Sequence, residues 1–136
     1  QTNKVKFALK IFDYIHSVDN RKLAKKIADE ETKQEKKIKI FLQVNIGNED
    51  QKSGVDKNEL IDLYNYCNEL NLNVVGLMCI PPINEQPNKY FEEMNQLNKK
   101  LNLSELSMGM SSDFLKATEN HSTYLRIGSS IFGNRN

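Results

Sequence analysis

The sequence predicts an α/β fold built on a mostly parallel sheet, either open or closed into a barrel. Three observations predict it. Short apolar or alternating segments recur between stretches with helical spacing. No Pro/Gly/Ser linker and no internal repeat interrupts the 136 residues, so residues 1–136 read as one domain. Two loops rich in small residues, Ser107 to Asp113 and Arg126 to Gly133, follow the last two apolar runs. Phosphate sits after the last strands of a (β/α)8 barrel, whereas an open dinucleotide-binding sheet puts its Gly-rich loop after the first. A complete barrel takes ~250 residues, so an open sheet suits the length better while the loop positions suit a barrel with about five of its eight strands.

Taken in order, Asn3 to Phe12 has Val5, Leu9 and Phe12 spaced for one helical face, and Asp13 to Val18 reads as a short strand. Asp19 is an N-cap candidate for a helix over Arg21 to Glu31, with Leu23 and Ile27 inward and Lys25 and Lys26 outward. Lys33 to Lys39 reads as a solvated, Lys-rich loop. Lys37 to Ile46 is the clearest strand. Ile38, Ile40, Leu42, Val44 and Ile46 would face helices, leaving Phe41, Gln43 and Asn45 on the other side, with Asn45 at the rim.

Asp56 to Glu59 resembles a capping box opening a helix through Leu60, Leu63, Tyr64, Cys67 and Leu70. Val74 to Ile80 is an apolar strand stopped by Pro81 and Pro82; Gly76 leaves room for a close neighbour and Met78 falls near the carboxyl end. Pro87 and Asn88 open a helix whose stripe is Tyr90, Phe91, Met94, Leu97 and Leu101. Leu103 to Met108 is a strand, Phe114 to Asn120 a short helix and Thr123 to Ile127 a last strand, giving five strands and four crossover helices.

Charge identifies no partner. Nineteen basic and 18 acidic residues give a formal +1 and are spread along the chain, with no basic face or motif for nucleic acid. The longest apolar run is far below the ~20 residues of a membrane helix, so no membrane partner is expected. Cys67 and Cys79 form no Cys-x-x-Cys pair and read as small hydrophobes in a reducing compartment. His16 and His121, far apart and without a carboxylate motif, read as core or surface residues rather than catalytic groups or metal ligands.

The two late loops carry the chemistry. Backbone N–H groups and hydroxyls directly after a strand suit a bound phosphate, and Gly109, Ser111, Gly128 and Ser129 supply them. Each has a duller account: the glycines permit turns, Met78, Met108 and Met110 fill cores, and the serines cap helices.

Gln1-Thr2-Asn3-Lys4, Gln43-Val44-Asn45-Ile46, Lys52-Ser53-Gly54, Gly76-Leu77-Met78-Cys79-Ile80-Pro81, Leu106 to Asp113 and Arg126 to Gly133 resemble, in that order and over essentially the whole chain, the pyridoxal-phosphate homeostasis protein family. The resemblance implies an alanine-racemase-type (β/α)8 TIM barrel holding pyridoxal 5′-phosphate (PLP) as a Schiff base on a lysine. It implies a cytoplasmic carrier or buffer of PLP without an established catalytic reaction, monomeric when complete, that hands cofactor to apo PLP-dependent enzymes. Carried over residue by residue, Ser107, Met108, Ser111, Arg126, Gly128 and Ser129 match the cofactor site, with Ser129 standing where the family usually has Thr; Asn45 and Met78 join them on the rim. Arg126 matches the arginine beside the pyridine nitrogen. The family's Val-Ser-Lys strand has no counterpart here, so no Schiff-base lysine is assigned, and the start without Met reads as a cut, making this the C-terminal portion of a PLP-binding barrel. Two alternatives stay open: a PLP-dependent amino-acid racemase or decarboxylase of the same barrel class, and a non-catalytic interaction module.

Overall fold

Helix and strand alternate as the hydrophobic spacing requires. The computed structural model describes residues 4–50, 53–82 and 88–108. Over these the order is α1 (Val5–Ile11), β1 (Tyr14–Val18), α2 (Arg21–Gln34), β2 (Lys39–Gln43), a 3-10 turn (Lys57–Glu59) leading into α3 (Leu60–Glu69), β3 (Asn73–Cys79), α4 (Asn88–Lys100) and β4 (Glu105–Met108). The strands form one parallel sheet in the order β1-β2-β3-β4. Each ladder joins strands separated by a single crossover, which is how a barrel is wound; a doubly wound sheet reverses its order at a switch point. The helix expected at Phe114 to Asn120 and the strand at Thr123 to Ile127 lie outside the described residues.

The aliphatic row of β2 packs as its alternation dictates. Ile38, Ile40, Leu42, Val44 and Ile46 join Leu77, Cys79 and Leu106 in one buried cluster with Leu23, Ala24 and Ile27 of α2, Leu60, Leu63 and Cys67 of α3, and Phe91 and Met94 of α4. Each fully buried Leu, Ile or Phe contributes about 1.5–3 kcal/mol of transfer free energy, which makes this face the main stabilising layer. Leu97 and Leu101 pack at its margin. Among the described residues no helix is long and apolar enough to cross a membrane.

Element boundaries shift where side chains reach the backbone. Asn20, not Asp19, caps α2, its Oδ1 accepting from the Leu23 N–H at 2.8 Å; Asp19 instead accepts from the Gly54 N–H at 2.9 Å, tying the end of β1 to the loop after β2. The expected solvated loop is exposed at Lys33, Glu35, Lys37 and Lys39, but its ends belong to α2 and β2 and two of its lysines tie elements together. Lys33 and Gln34 finish α2, Lys36 donates to the Leu9 and Phe12 carbonyls at the end of α1, and Lys37 donates to the Asn71 carbonyl. Basic side chains at helix ends satisfy carbonyls that have no intrahelical partner. The regular β2 strand stops at Gln43, beyond which the Val44 N–H still bonds to the Met78 carbonyl at 2.8 Å and Val44 bridges to Val55. In place of a capping box, Asp56 accepts from the Asn58 N–H, a 3-10 turn follows, and Glu59 is exposed.

Candidate ligand site at the carboxyl ends of the strands

Alternation leaves a second row of side chains on the face turned away from the helices: Tyr14 and His16 on β1, Phe41 and Gln43 on β2, Gly76 and Met78 on β3, Ser107 on β4. The ladder pairs Phe41 with Gly76, Gln43 with Met78, and Met78 with Ser107, so these positions share one face. Phe41, Gln43, Met78 and Ser107 are buried yet stand apart from the helix-side cluster.

The geometry of this face is set by curvature. His16 Nδ1 lies 2.8 Å from Ser107 Oγ although β1 and β4 are separated by two intervening strands. Strands in a sheet lie about 4.8 Å apart, so in a flat sheet the two backbones would be roughly 14 Å distant and no imidazole could bridge them. The sheet therefore curls around this face. Two features produce the curl. Register shifts between Ile15 and Val18 and between Ile40 and Phe41 place irregularities on both ladders of β2 at the level of Phe41, and bulges of this kind bend a strand and increase its twist. Gly76 lets β4 close in: a Cβ there would overlap the Glu105 carbonyl and sit 3.0 Å from Phe41 Cε2. The Phe41 ring lies across this gap and stacks on His16, centroids 4.3 Å apart at 28°. An aromatic stack of this kind holds the imidazole over the sheet.

Four of the predicted site residues are described, and all four fall at carboxyl ends of neighbouring strands. Met78 and Ser107 face each other on the inner row, and Met108 closes β4. Asn45 lies on the rim just past β2, but its amide is committed to the loop: Nδ2 donates to the Glu49 carbonyl at 2.6 Å and Oδ1 accepts from the Glu49 N–H at 3.0 Å. That loop packs on the one after β3, since a Cβ at Gly47 would overlap the Pro82 ring. Ser111, Arg126, Gly128 and Ser129 lie outside the described residues. His16, read from the sequence as a core or surface residue, is half-buried on this inner face; its alternation with Ile15, which packs against the helix-side core, was the signal for that facing.

Other groups near this face are chemically quiet. Lys39 begins β2 at the opposite, amino end, and its Nζ is 3.2 Å from the Tyr14 hydroxyl, which raises its pKa above the usual lysine value. Cys79 follows Met78 but faces the helices, where burial pushes its thiol far above the ordinary range, so it carries no thiolate for nucleophilic work. Among the described residues no group of three His, Cys, Asp or Glu side chains is placed to hold a metal ion.

Parallel strands wound in sequence, with polar side chains gathered where they end, make a barrel-type domain, a class of fold in which ligands bind at the carboxyl rim. The chain belongs to the family described as alanine racemase, N-terminal domain, whose model matches residues 1–136. Among its relatives are the pyridoxal phosphate homeostasis proteins of Aquifex aeolicus, 40% identical over 145 residues, and of Pasteurella multocida, 34% identical over 146. Each alignment takes in 99% of this chain, and the chain spans a little under two thirds of those relatives, 64% and 63% of their lengths. Among solved structures, PipY of Synechococcus elongatus with PLP bound superposes with a TM-score of 0.89 at 30% identity over 98% of this chain and 66% of PipY. An alanine racemase of Clostridium difficile superposes at 0.74 with 12% identity over 99% of this chain and 37% of its own, a likeness of fold.

Proposed function

We propose that this protein binds pyridoxal 5′-phosphate and serves intracellular PLP homeostasis, as a cytoplasmic carrier or buffer rather than as an enzyme. The observation that carries this reading is the likeness, over nearly the whole chain, to PLP-bound PipY and to relatives named for PLP homeostasis. The chemistry of the carboxyl rim fits the ligand. PLP is a flat heteroaromatic ring fringed with acceptors: a phosphate, a phenolate oxygen, an aldehyde and a ring nitrogen. Met78 offers a polarizable apolar surface for such a ring and Ser107 a buried hydroxyl for an acceptor.

On this reading Met78 and Ser107 flank the ring, Met108 ends the strand that carries Ser107 to the rim, and Asn45 shapes the loop beside them. The N–H groups of Gly128 and Ser129 and the hydroxyls of Ser111 and Ser129 hold the phosphate, because several donors after a strand end neutralise a dianion without a lysine. Arg126, which only donates, lies by the ring nitrogen and disfavours its protonation. PLP supplies a reactive aldehyde and an electron sink, and an unprotonated ring is the weaker sink, which suits storage over turnover. Residues 1–136 act as one domain of a monomer, with apo PLP-dependent enzymes as recipients. The two buried free cysteines are consistent with a reducing cytoplasm.

The test is retention of PLP by the full-length protein after gel filtration, read from cofactor absorbance and from borohydride trapping. Retained, near-stoichiometric cofactor is expected, with clear weakening in the Ser111→Ala/Ser129→Ala double variant. Protein that emerges free of PLP refutes the reading.

A further inference from the structure

The contact between His16 and Ser107 has no part in the site as proposed so far, and we infer that His16 is a positioning residue that donates Nδ1–H to Ser107 Oγ and thereby aims the serine hydroxyl proton at the ligand on the carboxyl rim. The inference rests on the functional reading above. Its ground is geometric. Ser107 is fully buried and its Oγ lies 2.8 Å from His16 Nδ1. The imidazole is held in place by stacking on Phe41 at 4.3 Å, and the close approach of β4 that Gly76 permits brings the serine to it.

A hydroxyl beside an imidazole has two arrangements. If Ser107 gives its proton to Nδ1, only lone pairs remain to face the ligand. If Nδ1–H gives its proton to Oγ, the serine proton is released to point elsewhere. PLP presents acceptors around its ring and on its phosphate, so lone pairs turned toward it would repel, and only the second arrangement binds. A buried serine free to choose would offer either; one receiving a hydrogen bond from a clamped imidazole is committed as a donor.

The test uses the full-length protein and PLP itself. Nitrogen-15 NMR of the PLP-loaded protein should find a proton on His16 Nδ1. For affinity, His16→Phe keeps the ring stack but removes the donor, whereas His16→Asn places an amide N–H one bond from Cγ, where Nδ1 stood. Losing one hydrogen bond should weaken PLP binding about tenfold in His16→Phe and in Ser107→Ala. The double variant should lose no more than either single one, and His16→Asn should stay within about threefold of wild type. Wild-type protein that takes up no PLP overturns the functional reading and the inference with it. Wild type that binds PLP with Nδ1 unprotonated, or with unchanged affinity in folded His16→Phe, or with additive losses in the double variant, overturns the inference alone.

Discussion

Replacing Gly76 by Ala tests whether the curl of the sheet depends on a missing side chain. Gly76 has no positive φ, so its backbone conformation is open to alanine. Elsewhere in such a conformation Gly→Ala stabilises by about 0.4–1 kcal/mol, because the unfolded chain loses freedom. Here the added Cβ would overlap the Glu105 carbonyl oxygen and lie 2.6 Å from its carbon. Comfortable separation is about 3.5–4.0 Å, and the carbonyl oxygen is closer than its carbon, so β4 must retreat by roughly 1.5 Å along a ladder of four residue pairs. The obstacle is backbone and cannot change rotamer, which places the cost near the upper end of overpacking, about 3 kcal/mol net. Urea denaturation should report that loss at an unchanged slope, and thermal melting a drop of about 10 °C. The His16 ring signals should also move, because the strand that retreats carries Ser107. A Gly76→Ala protein at least as stable as wild type, with His16 unmoved, would refute the reasoning.

Burial lifts the Cys67 thiol from its ordinary value near 9 to about 11. Between those values the unfolded chain gives up the proton while the folded chain keeps it, so stability is whole below pH 9 and falls as pH rises toward 11, by up to about 2 kcal/mol. Cys67→Ala should flatten that slope in urea titrations at successive pH values; an identical slope would count against it. Glu31 is buried, accepts the Ile38 N–H at 2.9 Å and lies 3.4 Å from Lys37 Nζ. Glu31→Ala leaves that buried N–H unsatisfied and should cost about 2 kcal/mol, whereas Glu31→Gln retains an acceptor and should cost under about 1, a ranking that equilibrium denaturation would reverse if the bond did not matter.

The layers were legible because they depend on local alternation. Ile38, Ile40 and Leu42 against Phe41 and Gln43 fixed both faces of β2, and the helical stripes of α3 and α4 followed from spacing alone. What eluded the sequence depends on partners distant along the chain. Whether Asp19 or Asn20 caps α2 turns on the Gly54 N–H, 35 residues away, which takes the Asp19 carboxylate. The Lys-rich stretch is exposed at Lys33, Glu35, Lys37 and Lys39, as its composition indicates, but nothing local shows that Lys36 and Lys37 reach the Leu9 and Asn71 carbonyls. The register shifts beside Phe41 follow from how three strands twist together, so His16 looked solitary when its serine lay on the fourth strand. In the site itself, Met78 and Ser107 were placed by strand ends, whereas the loop duty of Asn45 emerged only with the fold.

The hydrogen bond between His16 and Ser107 spans 91 residues of sequence, while each strand ladder joins elements one crossover apart. Chain closure costs entropy that grows with the logarithm of loop length, so a single contact of this span is unfavourable until the intervening units have formed and shortened the effective loop. The arc can therefore assemble stepwise, each strand docking on its predecessor, and this bond closes only when the last of the four has docked. In refolding experiments the His16 imidazole should be a clock for completion: its native signal should rise with the slowest phase, after the helical signal of α2 and α3 is in place.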